Sequence, residues 1–252
     1  MSEVLRVASG APNEARFGFC QATRVGGVIH VAGQVGKDNT TGDMVGAAGF
    51  TPRLRRALRN VLTAVGDAGG RAEDLVELRA HLDRHLAERW AQVLAEVRSV
   101  LAPGAPAVTA VQLAGLSDPD YQVEISATAI TGEHQSSARA ADGAGGHVVR
   151  RGPWIHVPGQ PAGRGSTGGR ALAEAIERLR GSLGAVGARL EDVVSTHLYV
   201  AGPLGPTDFD ALCEAHRSAF GHARPAATLV LVDALPWPGV NAQVTAVAYA
   251  AL

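Results

Sequence analysis

The sequence predicts an α+β fold built twice, as two tandem domains that are each a mixed sheet with two helices on one face. Three observations predict it. The chain repeats its own programme, each copy sets amphipathic helices among short strand-like segments, and a polar Gly-rich stretch separates the copies. Val28-Ile29-His30-Val31-Ala32-Gly33-Gln34 is answered by Trp154-Ile155-His156-Val157-Pro158-Gly159-Gln160. Glu73-Asp74-Leu75-Val76 is answered by Glu191-Asp192-Val193-Val194, and Pro106-Ala107-Val108-Thr109 by Pro225-Ala226-Ala227-Thr228. Val123-Glu124-Ile125-Ser126 is answered by Ala242-Gln243-Val244-Thr245, and the order never changes.

The elements follow in order. After the first apolar strand, Leu54, Leu58, Val61 or Leu62, and Val65 share one helical face, and Ala68-Gly69-Gly70 ends the helix. Leu172, Ile176, Leu179, Leu183 and Val186 do the same in the second copy and stop at Gly187. Strands are expected around 75–82 and 193–200, and second helices over 85–101 and 208–220. Val123, Ile125 and Ala127 alternate with Glu124, Ser126 and Thr128, the period of a strand with two unlike faces. Each copy thus reads strand, strand, helix, strand, helix, strand, strand. Residues 131–146 lack apolar periodicity and read as a flexible linker. The domains are accordingly 1–130 and 147–252.

Composition narrows the function. A chain of 252 residues supports two cores, and 46% hydrophobic residues with a net charge of -1 describe a globular protein. That charge gives no reason to expect nucleic acid or an anionic membrane as partner, and no apolar run is long enough to span a bilayer. Two cysteines at non-equivalent positions, Cys20 and Cys213, argue against a disulfide framework and fit a reducing cytoplasm. The start, Met1-Ser2-Glu3-Val4-Leu5-Arg6, has no secretory pattern. No His or Cys cluster has metal-ligand spacing: His81 and His85 are four apart but straddle a strand-to-helix boundary. No Gly-rich loop has the ending of a phosphate cradle, so no metal or cofactor is expected.

The Gly-Gln after an apolar strand, the amphipathic helix, the Glu-Asp-Val-Val and the Thr196-His197-Leu198-Tyr199-Val200 strand together resemble the Rid (reactive intermediate deaminase, formerly YjgF) family. Phe17-Gly18-Phe19-Cys20-Gln21-Ala22 is similar to that family's N-terminal segment, and Arg224-Pro225-Ala226 to its Pro-Ala motif. The resemblance implies chorismate-mutase-like domains arranged in rings of three, and hence a homotrimer of chains. It also implies ligand clefts between domains and cofactor-free hydrolysis of imines and enamines. In that family an Arg holds the substrate carboxylate and a Glu on the last strand positions water.

The chain departs from this pattern where it matters. The Arg slot holds Val108 and Ala227, neither of which offers a guanidinium fork to a carboxylate. Arg224 lies three residues early. The strand-end Ser is replaced by Ala32 and Pro158, and the Tyr by Phe19.

The acidic position survives as Glu124 in one copy and is Gln243 in the other. A lone carboxylate in an apolar cleft is a usable general base near neutral pH, although an exposed strand Glu is the plainer reading. His30 and His156 are equivalent, and each is either an acid–base group or a core histidine. His81 and His197 occupy non-equivalent positions, and His134 is expected on the surface. The expected site therefore has Glu124 as base and His30 as acid or orienting group, with Phe19, Ala32, Val108, Ser126, His156 and Gln243 binding substrate. The expected reaction is deprotonation of a reactive carbonyl compound of specialised metabolism, leading to cyclisation or isomerisation. A deaminase with an unusual substrate and a non-catalytic binding protein are the alternatives.

Overall fold

A computed structural model of the chain describes residues 3–45, 49–101, 106–118, 120–132, 137–141, 147–205 and 207–251. The first half runs β1 (Val4–Val7), α1 (Pro12–Phe17), β2 (Ala22–Val25), β3 (Val28–Gln34), α2 (Phe50–Asp67), β4 (Leu75–Leu82), α3 (Leu86–Leu101), β5 (Ala107–Gln112) and β6 (Val123–Ile130). The second runs β7 (Ser137–Ala141), β8 (His147–Arg151), β9 (Trp154–Pro161), α4 (Gly168–Gly184), β10 (Val193–Ala201), α5 (Asp208–Phe220), β11 (Ala226–Val232) and β12 (Ala242–Tyr249).

The two sheets are the same object twice. Their strand orders are β1-β2-β3-β6-β4-β5 and β7-β8-β9-β12-β10-β11. In each, the last strand of the copy lies mid-sheet, antiparallel to both neighbours, and the β4–β5 and β10–β11 pairs are parallel. Each copy carries one strand more than the sequence suggests. In the second copy that strand is β7, paired with β8 from Ser137↔Arg151 to Ala141↔His147. Part of the stretch read as a linker is therefore the edge of a sheet, and a strand of five residues with alanine as its only apolar type gives no clear period to recognise. His134 and residues 142–146 lie outside the described residues.

Apolar periodicity set the helices correctly. Leu54, Leu58, Val61 and Val65 of α2 are wholly buried on one face of the first sheet, as are Leu172, Ile176, Leu179 and Leu183 of α4 on the second. Gly69 and Gly187, at φ +76° and +74°, end these helices in a left-handed turn that a Cβ would strain. The duplicated Glu-Asp then has a local cause. Asp74 and Asp192 close a 3₁₀ turn by accepting the backbone N–H of Arg71 and Arg189 at 2.9 and 2.8 Å.

The copies also pack on each other. Gln112 at the end of β5 bridges to the second copy, donating its N–H to Ala234 O and accepting from Asp233 N–H, both at 3.0 Å. Trp237 lies against both apolar cores and meets Trp90 edge-on, with centroids 5.9 Å apart.

Candidate functional site

The repeated Gly-Gln marks a β-bulge. In the first sheet Ala32-Gly33 stands opposite the single residue Ser126, and in the second Pro158-Gly159 stands opposite Thr245. The Gln ties the bulge: Gln34 Nε2 donates to Ala32 O at 3.1 Å, and Gln160 Nε2 to Pro158 O at 3.0 Å. The Gly makes room. A Cβ on Gly33 would fall 1.8 Å from Glu124 Oε1, and one on Gly159 would fall 2.3 Å from Gln243 Oε1. The motif thus brings one polar side chain of the central strand against bare backbone of its neighbour, once per copy.

The two copies then diverge. Gln243 is fully buried, and its Nε2 donates to Ala110 O of β5 at 3.0 Å. Beside it Gly159 N–H donates to Thr109 Oγ1 at 3.1 Å. The edge strand β5 of the first copy has sealed the second copy's position, so Gln243 is part of a domain junction and not of an open pocket. Glu124 has no such cover. It is half-buried and makes no hydrogen bond or ion pair among the described residues, and burial pushes its carboxyl up from the ordinary range.

The structure separates several of the expected site residues. The strand register places His30 opposite Thr128, four residues along β6 from Glu124, which is about 13 Å. The cross-strand neighbour of Glu124 is His81, whose imidazole pKa is lowered by burial and by nearby Arg79. Ala32 keeps the alternation of Val28 and His30, and the bulge shifts it only from Gly33 onward, so that Gln34 is buried. Val108 pairs with Leu78 and lies in the first apolar core, because on β5 it is the neighbouring Thr109 that occupies the junction. Phe19 is half-buried in the loop after α1, where its N–H donates to Glu14 O at 3.2 Å.

His30, Ser126 and His156 do come together. They line a cleft of about 660 Å³ between the two sheets, with Val25, Val28 and Ile130 from the first sheet and Trp154 and Val247 from the second. Two further lining residues, Glu77 and Arg79, were not anticipated. Their signal was present in β4: Glu77, Arg79 and His81 recur with period two in an otherwise apolar strand.

Glu77 is the electrostatic centre of the cleft. Its Oε1 accepts from Arg79 Nε at 2.8 Å, and its Oε2 lies 3.5 Å from His156 Nδ1. Burial alone would raise the Glu77 carboxyl, but His156 and Arg79 outweigh it and hold the group down at about 2. The 3.5 Å approach is too long for a well-formed hydrogen bond, and it leaves a buried imidazole nitrogen with attraction only. His197 and Tyr199 of β10 feel the same pair from the second sheet. Burial lowers the His197 pKa, with Arg79 adding to the effect, and burial raises that of Tyr199.

Arg224, the residue nearest in sequence to the lost Arg slot, lies in a separate surface depression with His216 and Phe220. Among the described residues no three His, Cys, Asp or Glu side chains converge to hold a metal ion, and no helix is long and apolar enough to cross a membrane.

Comparison with known proteins gives the ancestry. The sequence model of the family described as Endoribonuclease L-PSP matches residues 10–131 and again 136–250. A YjgF/YER057c/UK114-family protein of Mycobacterium tuberculosis is 27% identical over 51% of this chain and all of its own, with a TM-score of 0.45. The YjgF gene product of E. coli is 26% identical over 50% of this chain and 97% of its own, TM-score 0.44. RidA of Psychrobacter sp. PAMC 21119 is 26% identical over 50% and 98%, TM-score 0.44. No curated protein matches the chain. With two matches of the family's model spanning nearly the whole sequence, the chain is a tandem duplication within the endoribonuclease L-PSP family, the YjgF or Rid family.

Proposed function

We propose that the protein is a cofactor-free acid–base enzyme in which Glu124 removes a proton from the carbon next to a carbonyl. The observation that carries this reading is the contrast between Glu124 and Gln243. The same Gly-framed position holds a half-buried carboxylate with no partner among the described residues in one copy and a sealed amide in the other. The C–H bond breaks, its proton passes to the carboxylate, and the electron pair moves onto the carbonyl oxygen. Return of the proton to another atom gives an isomer; attack of the enolate on an electrophile within the same molecule closes a ring. His81, directly across the strand pair, is the group placed to assist, in preference to His30. The family's designation as an endoribonuclease raises RNA as a substrate. A net charge of -1 and a cleft whose one guanidinium is already paired with Glu77 favour a small molecule.

The test does not need the native substrate. Apolar ketones and β-dicarbonyl compounds in D₂O, followed by NMR, report exchange of the activated C–H, and a rate no faster than in buffer would remove the proposal. Release of ammonia from 2-aminoacrylate should stay at background, because Val108 faces the core and Ala227 has no charge to hold the carboxylate. A coupled ammonia assay matching a classical deaminase would refute that expectation.

We further propose that three chains assemble. In support, the Ala226, Ala227 and Thr228 edge of β11 is exposed, whereas the equivalent edge of β5 is buried against the other copy. Light scattering at micromolar concentration should give three times the chain mass of 25.9 kDa, and a persistent monomer would overturn it.

A further inference from the structure

We infer that His156 and Glu77 form a general-base dyad in the inter-sheet cleft, fitted to hydrolyse neutral esters with an apolar body. This activity does not rest on Glu124. Glu77 pairs with Thr128 of β6, about 13 Å along the sheet from the position of Glu124.

The dyad is assembled across the two copies: Glu77 comes from β4 and His156 from β9. His156 Nδ1 is closed to solvent and lies 3.5 Å from Glu77 Oε2. The carboxylate attracts the ring proton to Nδ1 and so leaves the lone pair on Nε2. Among the described residues Nε2 has no protein partner and is not enclosed as Nδ1 is, and the ring lines the cleft. That lone pair is free to meet water. Glu77 stays ionised, its carboxyl held at about 2, and offsets the positive charge that appears on the ring when Nε2 takes a proton. Its other oxygen accepts from Arg79 Nε at 2.8 Å, which keeps the carboxylate from turning away. An ion pair that only ties the copies together needs no cavity. This one borders about 660 Å³, in the range that encloses drug-sized ligands.

The lining sets the substrate class. Its only carboxylate and its only guanidinium, Glu77 and Arg79, neutralise each other. Val28, Ile130 and Val247 supply apolar surface, and Trp154, braced edge-on by Tyr249 at 5.1 Å, supplies an aromatic wall. Such walls favour an uncharged acyl or aryl group. The Ser126 and Thr128 hydroxyls line the same space and can donate to a carbonyl oxygen as it becomes negative. As Nε2 takes a proton from water, the water oxygen adds to the ester carbonyl and the C=O electron pair moves to oxygen. The pair then returns, the C–O bond to the alcohol breaks, and the departing alkoxide takes the proton from the imidazolium. Acid and alcohol leave, the dyad is restored, and water is the one co-reactant.

4-Nitrophenyl butyrate is the probe, followed by the absorbance of nitrophenolate. Turnover should saturate, and kcat should fall at low pH as the base becomes protonated. Arg79, His30, His197 and Tyr199 also titrate on these walls, so variants make the assignment. His156→Gln should cost ~10²–10⁴-fold in kcat with KM little changed, and should abolish the low-pH ionisation. Glu77→Gln, which only positions the ring, should cost at least about 10-fold in kcat. Both changes also loosen the junction between the copies, so His156→Ala with added imidazole is the deciding measurement. Rescue of turnover reports a missing base, which a merely structural pair would not show. His222→Gln, an exposed histidine of the separate depression near Arg224, should keep the parent rate. No saturable turnover above buffer, a parent-like rate in His156→Gln, or a folded His156→Ala that imidazole leaves inactive would each overturn the inference.

Discussion

Glu124→Gln is expected to lower solvent-deuterium exchange by ~10²–10⁴-fold, the usual contribution of a positioned general base, and to leave the melting temperature unchanged or higher. The combination is the informative part. Burial raises the Glu124 carboxyl, so the folded state holds its proton to higher pH than the unfolded chain does. Stability then falls as pH rises from the unfolded value through the raised folded one, and above that window the ionised, unpartnered group opposes folding. An amide of the same shape removes that opposition, as Gln243 does in the other copy. Gln243→Ala should behave in the opposite sense, with little effect on exchange and a clear loss of stability, because it deletes a buried hydrogen bond to Ala110 O at the domain junction. Chemical denaturation and the exchange assay on the same two variants check both halves. If Glu124→Gln kept full exchange activity, His81 would become the candidate base; if both changes were silent in exchange, a binding role would replace the catalytic one.

Glu77→Ala should produce the largest loss of stability of any single change on the cleft face, about 3–5 kcal/mol by urea denaturation. The removed carboxylate leaves partly exposed Arg79 without its ion-pair partner and the buried His156 Nδ1 without its nearest neighbour. The same group predicts an acid limit. Its pKa is held at about 2, below the unfolded value, so its stabilisation is complete above the unfolded pKa and is lost as pH falls toward 2. Its full size is on the order of 3 kcal/mol. The parent should lose stability steeply between pH ~5 and ~2, and Glu77→Gln should flatten that part of the curve. An unchanged acid slope in Glu77→Gln would show that other carboxylates govern acid unfolding.

The sequence by itself determined the duplication, the class of fold and most of the elements. Helix periodicity comes from residues that sit one turn apart, so Leu54, Leu58 and Val65, or Leu172 and Ile176, declare their buried face without help from the rest of the chain. Strand β7 was missed because five residues of an edge strand need carry no apolar face of their own, and only pairing with β8 reveals them. The sequence also singled out Glu124 against Gln243, since equivalence between copies is visible in one dimension.

Tertiary structure alone decided what surrounds that pair. The regular β3–β6 register pairs His30 with Thr128, so His30 falls about 13 Å from Glu124 along the sheet, and the bulges at Ala32-Gly33 and Pro158-Gly159 shift the pairing by one residue only beyond that point. Packing of β5 against the second copy closed one position and left the other open, a choice made by residues more than a hundred positions apart such as Gln243 and Ala110. The cleft of Glu77, Arg79 and His156 exists only because two sheets face each other. No spacing within one strand announces a partner on another, and long-range contact is where the pattern of a single sequence stops carrying information.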